Sequence, residues 1–320
     1  MNTEIISQEY NSQLKETKFQ EHKLHTSDLV LKLFDTGFNR QADKTAVCGD
    51  FLEFTLKEHL QTKEQKQKLH GANFCKFRFC PYCNWRRTRN ITGQLKEALQ
   101  QIKEEREVSY LFLTLTVKNP KMEDLRQTIR DMNTSFLRLA RMKEYKKAVL
   151  GHFKSIEILG TKTKKGFAHP HFHILLIVNK SYFQSRDYIK QQEWKDMWKK
   201  ALKVDYDPQV DVRRIKSKNK DWNEIDSAVT ETVKYSVKHT SLTKLNDEDF
   251  TILLLQTAKM RFFSTAGILK DKMNLIKADE DLINLTAEQE QLWIEICKML
   301  YKFQDGAYYL KKLTYDKEAV

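Results

Sequence analysis

The sequence predicts an α+β protein, because β-rich segments alternate with segments that have the periodicity of amphipathic helices. Apolar side chains recur every three or four positions in residues 90–107 and 122–145, which indicates helices with one buried side. Four segments have the β-branched and aromatic side chains that strands favour, namely residues 110–117, 153–159, 168–178 and 210–215. The second and third of these strands are close in sequence, so we expect them to pair antiparallel.

The composition favours a soluble protein with a polyanionic partner. The chain has 320 residues, enough for two or three domains, and 40% hydrophobic residues, enough for a sizeable core. A formal net charge of +13 favours nucleic acid as the partner over a protein that is merely basic. Without a bilayer-spanning run or a signal-peptide pattern, we expect a cytoplasmic protein with no membrane partner. In that reducing compartment, five cysteines are expected to bind metal or to remain free thiols.

Four segments follow from the patterns along the chain. Residues 1–45 are polar, and we expect them to be helical and partly disordered. Residues 46–90 form a cysteine module, and residues 91–245 contain the predicted strands. Residues 246–320 are predicted to be a helical C-terminal extension, with a capping-box pattern at residues 286–289. This extension would pack on the protein or form a homodimer.

The cysteine spacing predicts a structural zinc site. Cys80 and Cys83 have the spacing of a zinc knuckle, and Cys75 and Cys48 complete a set of four thiolates. His70 is an alternative to Cys48. Four thiolates leave zinc no open coordination position, so the ion would stabilise the fold and take no part in catalysis. The alternative is a set of reduced, buried thiols.

Aromatic and basic side chains are interleaved around the cysteines. Aromatic rings stack on bases and guanidinium groups bind phosphates, which suits contact with single-stranded or distorted DNA. Packing of a small module against its neighbour would use the same residue types. The candidates for DNA binding are Arg78, Trp85, Arg86, Arg87 and Arg89.

Histidines mark the start of the most apolar predicted strand. His171 and His173 alternate with apolar residues and therefore point to the same side of that strand. Two neutral imidazoles one strand-step apart can bind a single divalent transition-metal ion. A purely structural role is disfavoured, because burying several polar rings side by side requires compensating partners.

A carboxylate in the preceding strand is the best candidate for a third ligand. Glu157 stands between two isoleucines, where an unpaired charge would be costly. Antiparallel pairing would bring it near His171 and His173. His169 is an alternative third ligand or a supporting group, and a salt bridge to a lysine is the alternative role for Glu157.

A metal ion on these three residues would keep positions open for a phosphate oxygen and polarise a phosphodiester. A tyrosine can then attack the phosphorus and form a phosphotyrosine, and Tyr235 is the candidate, on a helix predicted to begin near residue 224. Glu231, four residues earlier on the same helix face, could activate water or a 3′-hydroxyl in a later step. Lys234 or Lys238 could lower the pKa of Tyr235 and bind flanking phosphates.

The order of these motifs resembles that of the rolling-circle replication initiators of small bacterial plasmids, which belong to the His-hydrophobic-His (HUH) endonuclease superfamily. The histidines precede the tyrosine, as in replication initiators and unlike conjugative relaxases. The similar segments are residues 112–116, 169–173, 231–238, the cysteine cluster with its following arginines, and residues 259–267.

The resemblance implies a fold and a reaction. The fold would have a central antiparallel sheet of about five strands, with the histidine strand in the middle and helices packed on it. The protein would bind the plasmid double-strand origin and nick one strand in a hairpin loop. Tyr235 would remain on the 5′-phosphate, and the free 3′-hydroxyl would prime the host polymerase, with a host helicase as a further partner. His171 and His173 match the ligands of the catalytic Mn²⁺ or Mg²⁺, and Glu231 would support hydrolysis at termination.

Two other functions are compatible with the sequence. A transposase or mobilisation nickase could be built on the same fold and would cut at a transposon end or a transfer origin. A zinc-containing DNA-binding regulator without catalytic activity would use the histidines structurally, and the pairing of Glu231 with Tyr235 disfavours it.

Overall fold

The structure is a computed structural model and describes residues 18–160, 163–217, 223–233, 239–273 and 293–315. The chain forms two compact units, and helix α4 contains the boundary between them. The first unit comprises residues 1–87 and 281–320, and the second comprises residues 88–280. None of the helices in the described ranges combines the length and apolar character needed to cross a membrane.

The helices and strands occur in mixed order along the chain. The strands are β1 (Phe51–His59), β2 (Gln65–Ala72), β3 (Val108–Thr116), β4 (Val149–Glu157), β5 (His171–Asn179), β6 (Val210–Arg214), β7 (Phe263–Gly267), β8 (Trp293–Gln304) and β9 (Ala307–Tyr315). The helices are α1 (Lys18–Leu24), α2 (Thr26–Asp35), α3 (Asn39–Ala46), α4 (Pro81–Glu105), α5 (Leu125–Arg141), α6 (Lys143–Ala148), α7 (Gln191–Leu202), α8 (Glu224–Thr232), α9 (His239–Leu242), α10 (Asp247–Thr257) and α11 (Ile268–Lys272). Short 3-10 helices cover Met122–Asp124 and Lys180–Gln184.

The second unit is built on a five-stranded antiparallel sheet with the order β6-β3-β5-β4-β7. This confirms the α+β class and the prediction of a central antiparallel sheet of about five strands. Strand β5, which carries the histidines, is the middle strand. Both of its faces are buried, as its long apolar run requires.

Apolar side chains cover both faces of this sheet. On the face that carries the histidines, Phe112, Leu175 and Ile177 form a core with residues of α4, α8 and α11. On the other face, Phe172 contacts Phe136 of α5 and Trp198 of α7 through ring contacts. The predicted inner residues of α5 are buried, namely Leu125, Ile129, Met132, Phe136 and Leu139.

The first unit contains a four-stranded antiparallel sheet with the order β2-β1-β8-β9. The N-terminal helices α1 to α3 belong to the same unit, which agrees with the helical prediction for residues 18–45. Phe19 of α1 packs edge-on against Phe54 of β1. The hairpin of β1 and β2 had no sequence prediction of its own.

The prediction of a helical C-terminal extension is wrong for residues 293–315, which form β8 and β9. Apolar residues in this segment fit both a helical and an alternating pattern, and pairing of β8 with β1 favours the strand. Cys297, Met299 and Tyr301 are buried at alternate positions, as in a half-buried strand. The segment 246–320 is therefore divided between the two units, and the predicted capping box at 286–289 lies outside the described residues.

The helical prediction for residues 261–270 is also wrong in part, because β7 occupies their centre. Strand β7 is an edge strand of the five-stranded sheet and pairs only with β4 in the described structure. Gly267 ends it with a φ of 62° and a ψ of −148°, a conformation that only glycine adopts readily. A Cβ atom at Gly267 would collide with the carbonyl oxygen of Leu150 and lie 2.7 Å from the Cα of Gly151. Glycine therefore lets β7 approach β4 closely.

We expect Gly267→Ala to lower the free energy of unfolding by about 3 kcal/mol or more, because it adds backbone strain and a backbone clash. Gly166→Ala is the matched control, since Gly166 also has positive φ but no heavy atom within 4 Å of a Cβ there. That control should lose only about 1 kcal/mol, the cost of placing a Cβ in the left-handed region without a clash. Thermal and urea unfolding of both variants would measure the difference, and equal losses would show that close approach is unimportant.

Candidate functional site

The three predicted metal ligands lie together at one end of the five-stranded sheet. His171 begins β5, Glu157 ends β4, and the pairing register places these two residues directly opposite each other. The side chains of His171, His173 and Glu157 are 10%, 8% and 13% exposed, respectively. The cluster is therefore shielded, but each side chain keeps some access to solvent.

The ligand atoms have the separations expected around one ion. The Nε2 atoms of His171 and His173 are 2.9 Å apart, and Oε2 of Glu157 lies 3.0 Å from Nε2 of His173 and 3.3 Å from Nε2 of His171. Ligands about 2.1 Å from a metal are about 3.0 Å apart in adjacent octahedral positions. The three residues could thus occupy one octahedral face and leave three positions open.

Neighbouring groups fix the orientation of both imidazoles. Nδ1 of His171 lies 2.9 Å from the carbonyl oxygen of His169, so an Nδ1–H donor leaves the Nε2 lone pair for a metal. The ring of His173 stacks on Phe112, with centroids 5.3 Å apart and planes 24° apart. These contacts therefore favour the side-chain rotamers of His171 and His173 in which both Nε2 atoms can coordinate a metal ion.

The carboxylate of Glu157 is held in its charged form. Burial by itself would raise the pKa of Glu157, but hydrogen bonds and charge from His171 and His173 lower that pKa well below its usual range. An ionised carboxylate is the form that binds a hard divalent cation. The negative charge of Glu157, like its position, therefore suits a metal ligand.

The alternative third ligand, His169, lies next to the cluster but is not one of the three residues whose ligand atoms converge. Its Nδ1 is 2.7 Å from Oδ1 of Asn119, and the centroid of its ring lies 4.9 Å from that of His171. Burial lowers the pKa of His169, with the charge of His171 as a smaller cause. His169 is thus placed to support His171 through its carbonyl group.

Arg213 is a residue of the site that the sequence reasoning missed. It lies on β6 opposite Phe112, and its guanidinium is 5.0 Å from the centroid of that ring. Its Nη2 atom is 3.4 Å from Oε2 of Glu231, and its Nε atom is 3.9 Å from Oδ2 of Asp211. The pairing of β6 with β3 puts Arg213 on the histidine face, and no local pattern in the sequence signals that pairing.

The predicted helix that was to carry both Glu231 and Tyr235 ends earlier than expected. Helix α8 ends at Thr232, and Val233 has φ −84° and ψ 85°, so the prediction of one continuous helix face is wrong. Two threonines and a valine at this end lower the helical propensity. Three predicted residues, Lys234, Tyr235 and Lys238, lie outside the described residues.

The end of α8 is attached to the histidine strand. The hydroxyl of Ser155 donates to the carbonyl oxygen of Thr232 at 2.9 Å, and Ser155 pairs directly with His173. The chain therefore enters residues 234–238 from a point beside the metal-ligand cluster.

A cleft of about 600 Å³ opens where β3 and β6 meet α7. Thr114 and Thr116 line it, and these residues pair with His173 and His171, respectively. Asp211 and α7 residues such as Gln191 and Lys195 line the remainder. Its position makes this cleft a candidate path for a DNA strand that approaches the histidines.

The four predicted zinc ligands also converge. The Sγ atom of Cys48 lies 3.5 Å from that of Cys83 and 3.7 Å from that of Cys80, and Cys75 and Cys83 are 3.6 Å apart. These distances are far too long for disulfides. Four sulfurs about 2.3 Å from a tetrahedral ion would be about 3.8 Å apart. Of the predicted alternatives, Cys48 therefore joins the cluster and His70 does not.

The C-terminal strands help to hold this cysteine cluster. Gly49 follows Cys48 with positive φ, and a Cβ there would lie 2.8 Å from the ring of Tyr82. The hydroxyl of Tyr308 on β9 donates to the carbonyl oxygen of Gly49 at 2.6 Å. The two cysteine-bearing segments are thus packed against each other and tied to β9.

The predicted DNA-binding residues near the cysteines differ in their surroundings. Trp85 is buried and its ring packs edge-on against Phe19 at 5.0 Å, which fits the packing alternative and leaves its face unavailable to bases. The guanidinium of Arg86 lies 3.5 Å from the ring centroid of Phe74. Burial, with the charge of Arg87 added, lowers the pKa of Arg78 to about 10, so Arg78 remains charged at neutral pH. Arg89 is exposed.

Comparison with known proteins decides the family. The model of a replication-protein family, Rep_1, matches residues 66–309. This chain belongs to the Rep_1 family. A "Protein rep" of Bacillus sp is 36% identical over 289 residues, which cover 84% of this chain and 92% of that relative. A "Protein rep" of Streptococcus pneumoniae serotype 2 (strain D39 / NCTC 7466) is 33% identical over 274 residues, which cover 84% of this chain and 83% of that relative.

The family match confirms the resemblance to plasmid rolling-circle replication initiators. A "Protein rep" of Bacillus amyloliquefaciens is 36% identical over 276 residues, which cover 80% of this chain and 80% of that relative. The family match includes the histidine cluster and three of the four cysteines, and it begins after Cys48. No solved structure matches this Rep-family chain.

Proposed function

We propose that this Rep-family protein initiates rolling-circle replication of a plasmid as a metal-dependent nickase. It binds the double-strand origin and cuts one strand where that strand is single or extruded as a hairpin loop. Tyr235 is the nucleophile, and the products are a 5′-phosphotyrosine and a 3′-hydroxyl primer. The DNA substrate, the host helicase and the host polymerase that extends the primer are all in the bacterial cytoplasm.

The observation that carries this proposal is the convergence of Glu157, His171 and His173 within 3.3 Å of one another. Two imidazoles and one carboxylate can bind Mn²⁺ or Mg²⁺, although they select these ions less strictly than a site made only of oxygen ligands does. Three protein ligands also leave coordination positions for a phosphate oxygen. A divalent ion bound there would act as a Lewis acid toward the scissile phosphate.

Chain geometry supports Tyr235 as the nucleophile. Tyr235 is the third residue after Thr232, so its Cα lies within about 11 Å of the Cα of Thr232. The carbonyl oxygen of Thr232 accepts a hydrogen bond from the hydroxyl of Ser155, and Ser155 on β4 pairs with His173 on β5. A tyrosine side chain can reach the candidate metal site from such a starting point.

The chemistry of the nick follows from these groups. The Tyr235 oxygen forms a bond to phosphorus while the bond from phosphorus to the 3′ oxygen breaks. The phenol proton must leave before or during attack, and the ammonium group of Lys234 or Lys238 favours the phenolate. The departing 3′ oxygen takes up a proton and becomes the primer hydroxyl.

Glu231 supports termination in this proposal. Its carboxylate is 20% exposed, and its Oε2 lies 3.4 Å from Nη2 of Arg213, whose guanidinium is over the ring of Phe112. From there it would accept a proton from the water that hydrolyses the phosphotyrosine bond at termination. Arg213 acts as a positioning residue for Glu231.

The cysteine cluster holds a structural Zn²⁺ in this proposal. All four ligands are thiolates, which suit zinc far better than Mg²⁺. Around it, Arg78, Arg86, Arg87 and Arg89 supply positive charge for contacts to DNA phosphates. Trp85 contributes packing to this module.

The nickase proposal is tested by cleavage of a labelled single-stranded origin oligonucleotide. We expect a covalent protein–DNA adduct with Mn²⁺ or Mg²⁺, and no adduct after chelation or with Tyr235→Phe. Tyr188→Phe is the matched control, since Tyr188 is an exposed tyrosine of the same unit that we place outside the site. An adduct formed by Tyr235→Phe would move the nucleophile elsewhere. Tight binding without cleavage under any metal would favour a regulator without catalytic activity.

Glu231→Ala should separate the two stages of the reaction. Nicking should stay within a few fold of wild type, whereas hydrolysis of the terminal phosphotyrosine should slow by about 100-fold or more, the usual contribution of a general base. Single-turnover assays of each step would measure this. Equal loss in both steps would contradict the assigned role.

The cysteine cluster gives a metal-content prediction. Purified wild-type protein should retain one tightly held zinc ion after mild chelation, and Cys80→Ser should lose it. Cys297→Ser should retain zinc, because Cys297 is equally buried but lies outside the cluster. Elemental analysis of the three proteins gives the answer, and a wild-type protein without zinc would overturn the zinc assignment.

A further inference from the structure

The outer face of the four-stranded sheet in the first unit is strongly basic. Its opposite face carries Leu52, Phe54 and Met299, which are buried. Because side chains alternate along each strand, the residues between them point outward. Six outward positions of the sheet are lysines, and we name this set the lysine face: Lys57, Lys66, Lys68, Lys298, Lys302 and Lys312.

The strand register brings these lysines side by side. Thr55 of β1 lies between Lys68 of β2 and Lys298 of β8, and Lys57 lies opposite Lys66. Lys312 pairs with Leu300, two residues from both Lys298 and Lys302. Neighbouring strands are about 4.8 Å apart, so the six ammonium groups share one compact surface.

Few acidic groups offset this charge. Glu53 and Glu295 are the carboxylates at outward positions of the paired strand residues described, and Lys298 lies 3.6 Å from Glu295. Six lysines against two glutamates leave an excess of four positive charges on one face. Such an excess attracts a polyanion.

Protection of sheet edges does not account for the pattern. Lysines on edge strands commonly prevent unwanted strand pairing, and that explanation could serve for Lys66, Lys68 and Lys312 on β2 and β9. Strands β1 and β8 are internal strands of this sheet, yet they contribute Lys57, Lys298 and Lys302. Their lysines need another explanation.

Two aromatic residues of this face, Phe51 and Trp293, have lysines over their rings. Nζ of Lys302 lies 5.8 Å from the ring centroid of Phe51, and Nζ of Lys66 lies 5.9 Å from that of Trp293. Bases could stack on these rings only by displacing the ammonium groups. The arrangement therefore favours contacts to phosphates over the base stacking by which single strands are held.

We propose that the lysine face binds the backbone of duplex DNA. Duplex DNA carries one phosphate charge per about 1.7 Å of axis and is therefore a dense polyanion. The inference takes its choice of DNA from the proposed function, but it assigns a surface distinct from the nicking site. The contacts are with phosphates, so they position the protein on flanking duplex and read no sequence.

The test is a fourfold variant in which Lys66, Lys298, Lys302 and Lys312 are replaced by Gln. Its affinity for a short fluorescent duplex is measured by anisotropy as a function of salt, without divalent metal so that no nicking occurs. Each lost contact lowers the slope of log K against log salt by about 0.9. We expect a slope reduced by about 3 and an affinity at least about tenfold weaker at low salt.

A second fourfold variant is the matched control for charge. It replaces exposed lysines of the second unit by Gln, and we expect its affinity and slope to stay close to wild type. The control positions are Lys143, Lys146, Lys147 and Lys200. Thermal unfolding and zinc content establish that both variants are folded.

Three results would overturn the inference. The lysine-face variant could keep the wild-type affinity and slope, or both variants could lose affinity equally, which would indicate only general charge. The lysine-face variant could also lose affinity for a single strand of the same sequence while keeping that for duplex. The proposed nickase activity is measured separately with the Tyr235→Phe assay, so failure of one proposal leaves the other intact.

Discussion

The register in which β4 pairs with β5 determines which side chains meet at the candidate active site. Glu157 lies opposite His171 in that register, and Ser155 lies opposite His173. A slip of one residue would turn Glu157 to the other face of the sheet, because side chains alternate with period two. Burial on both faces of β5 prevents the slip, since each buried aliphatic or aromatic side chain contributes about 2 kcal/mol. The apolar core therefore holds three polar groups within hydrogen-bonding distance.

Contacts on the sheet face opposite the histidines explain why Glu157 interacts with the histidines and not with a nearby lysine. Lys154, three residues before Glu157, points to that opposite face, where its Nζ donates to Asn133 at 2.5 Å and lies 4.2 Å from the ring centroid of Phe172. Burial lowers the pKa of Lys154 to about 8, and burial together with the charge of Lys154 lowers that of His152 to about 4. Lys154 thus has polar and aromatic partners of its own and cannot be the lysine that pairs with Glu157.

Local patterns predicted the central sheet well, and they failed where strand partners are distant in sequence. The period of two in β5 and the helical period of α5 were sufficient, because each of those elements buries one or two continuous apolar faces. Strand β8 pairs with β1, more than 200 residues away, and its apolar residues also fit a helix. The site followed the same rule. Glu157 was found because its partner strand is adjacent, whereas Arg213 was missed because its role depends on β6 packing beside Phe112.

The two candidate metal sites divide their chemistry by ligand type. The four cysteines offer only soft thiolates and close a tetrahedron around any ion that they hold. Glu157, His171 and His173 offer two nitrogens and one carboxylate, and an ion held by these three residues would keep positions for substrate. Coordination by four thiolates suits a permanent structural ion that joins α4 to the loop after α3. Coordination by two imidazoles and one carboxylate suits an ion that has to exchange bound water for a phosphate oxygen. One chain can therefore hold two different metals without either site having to discriminate by affinity alone.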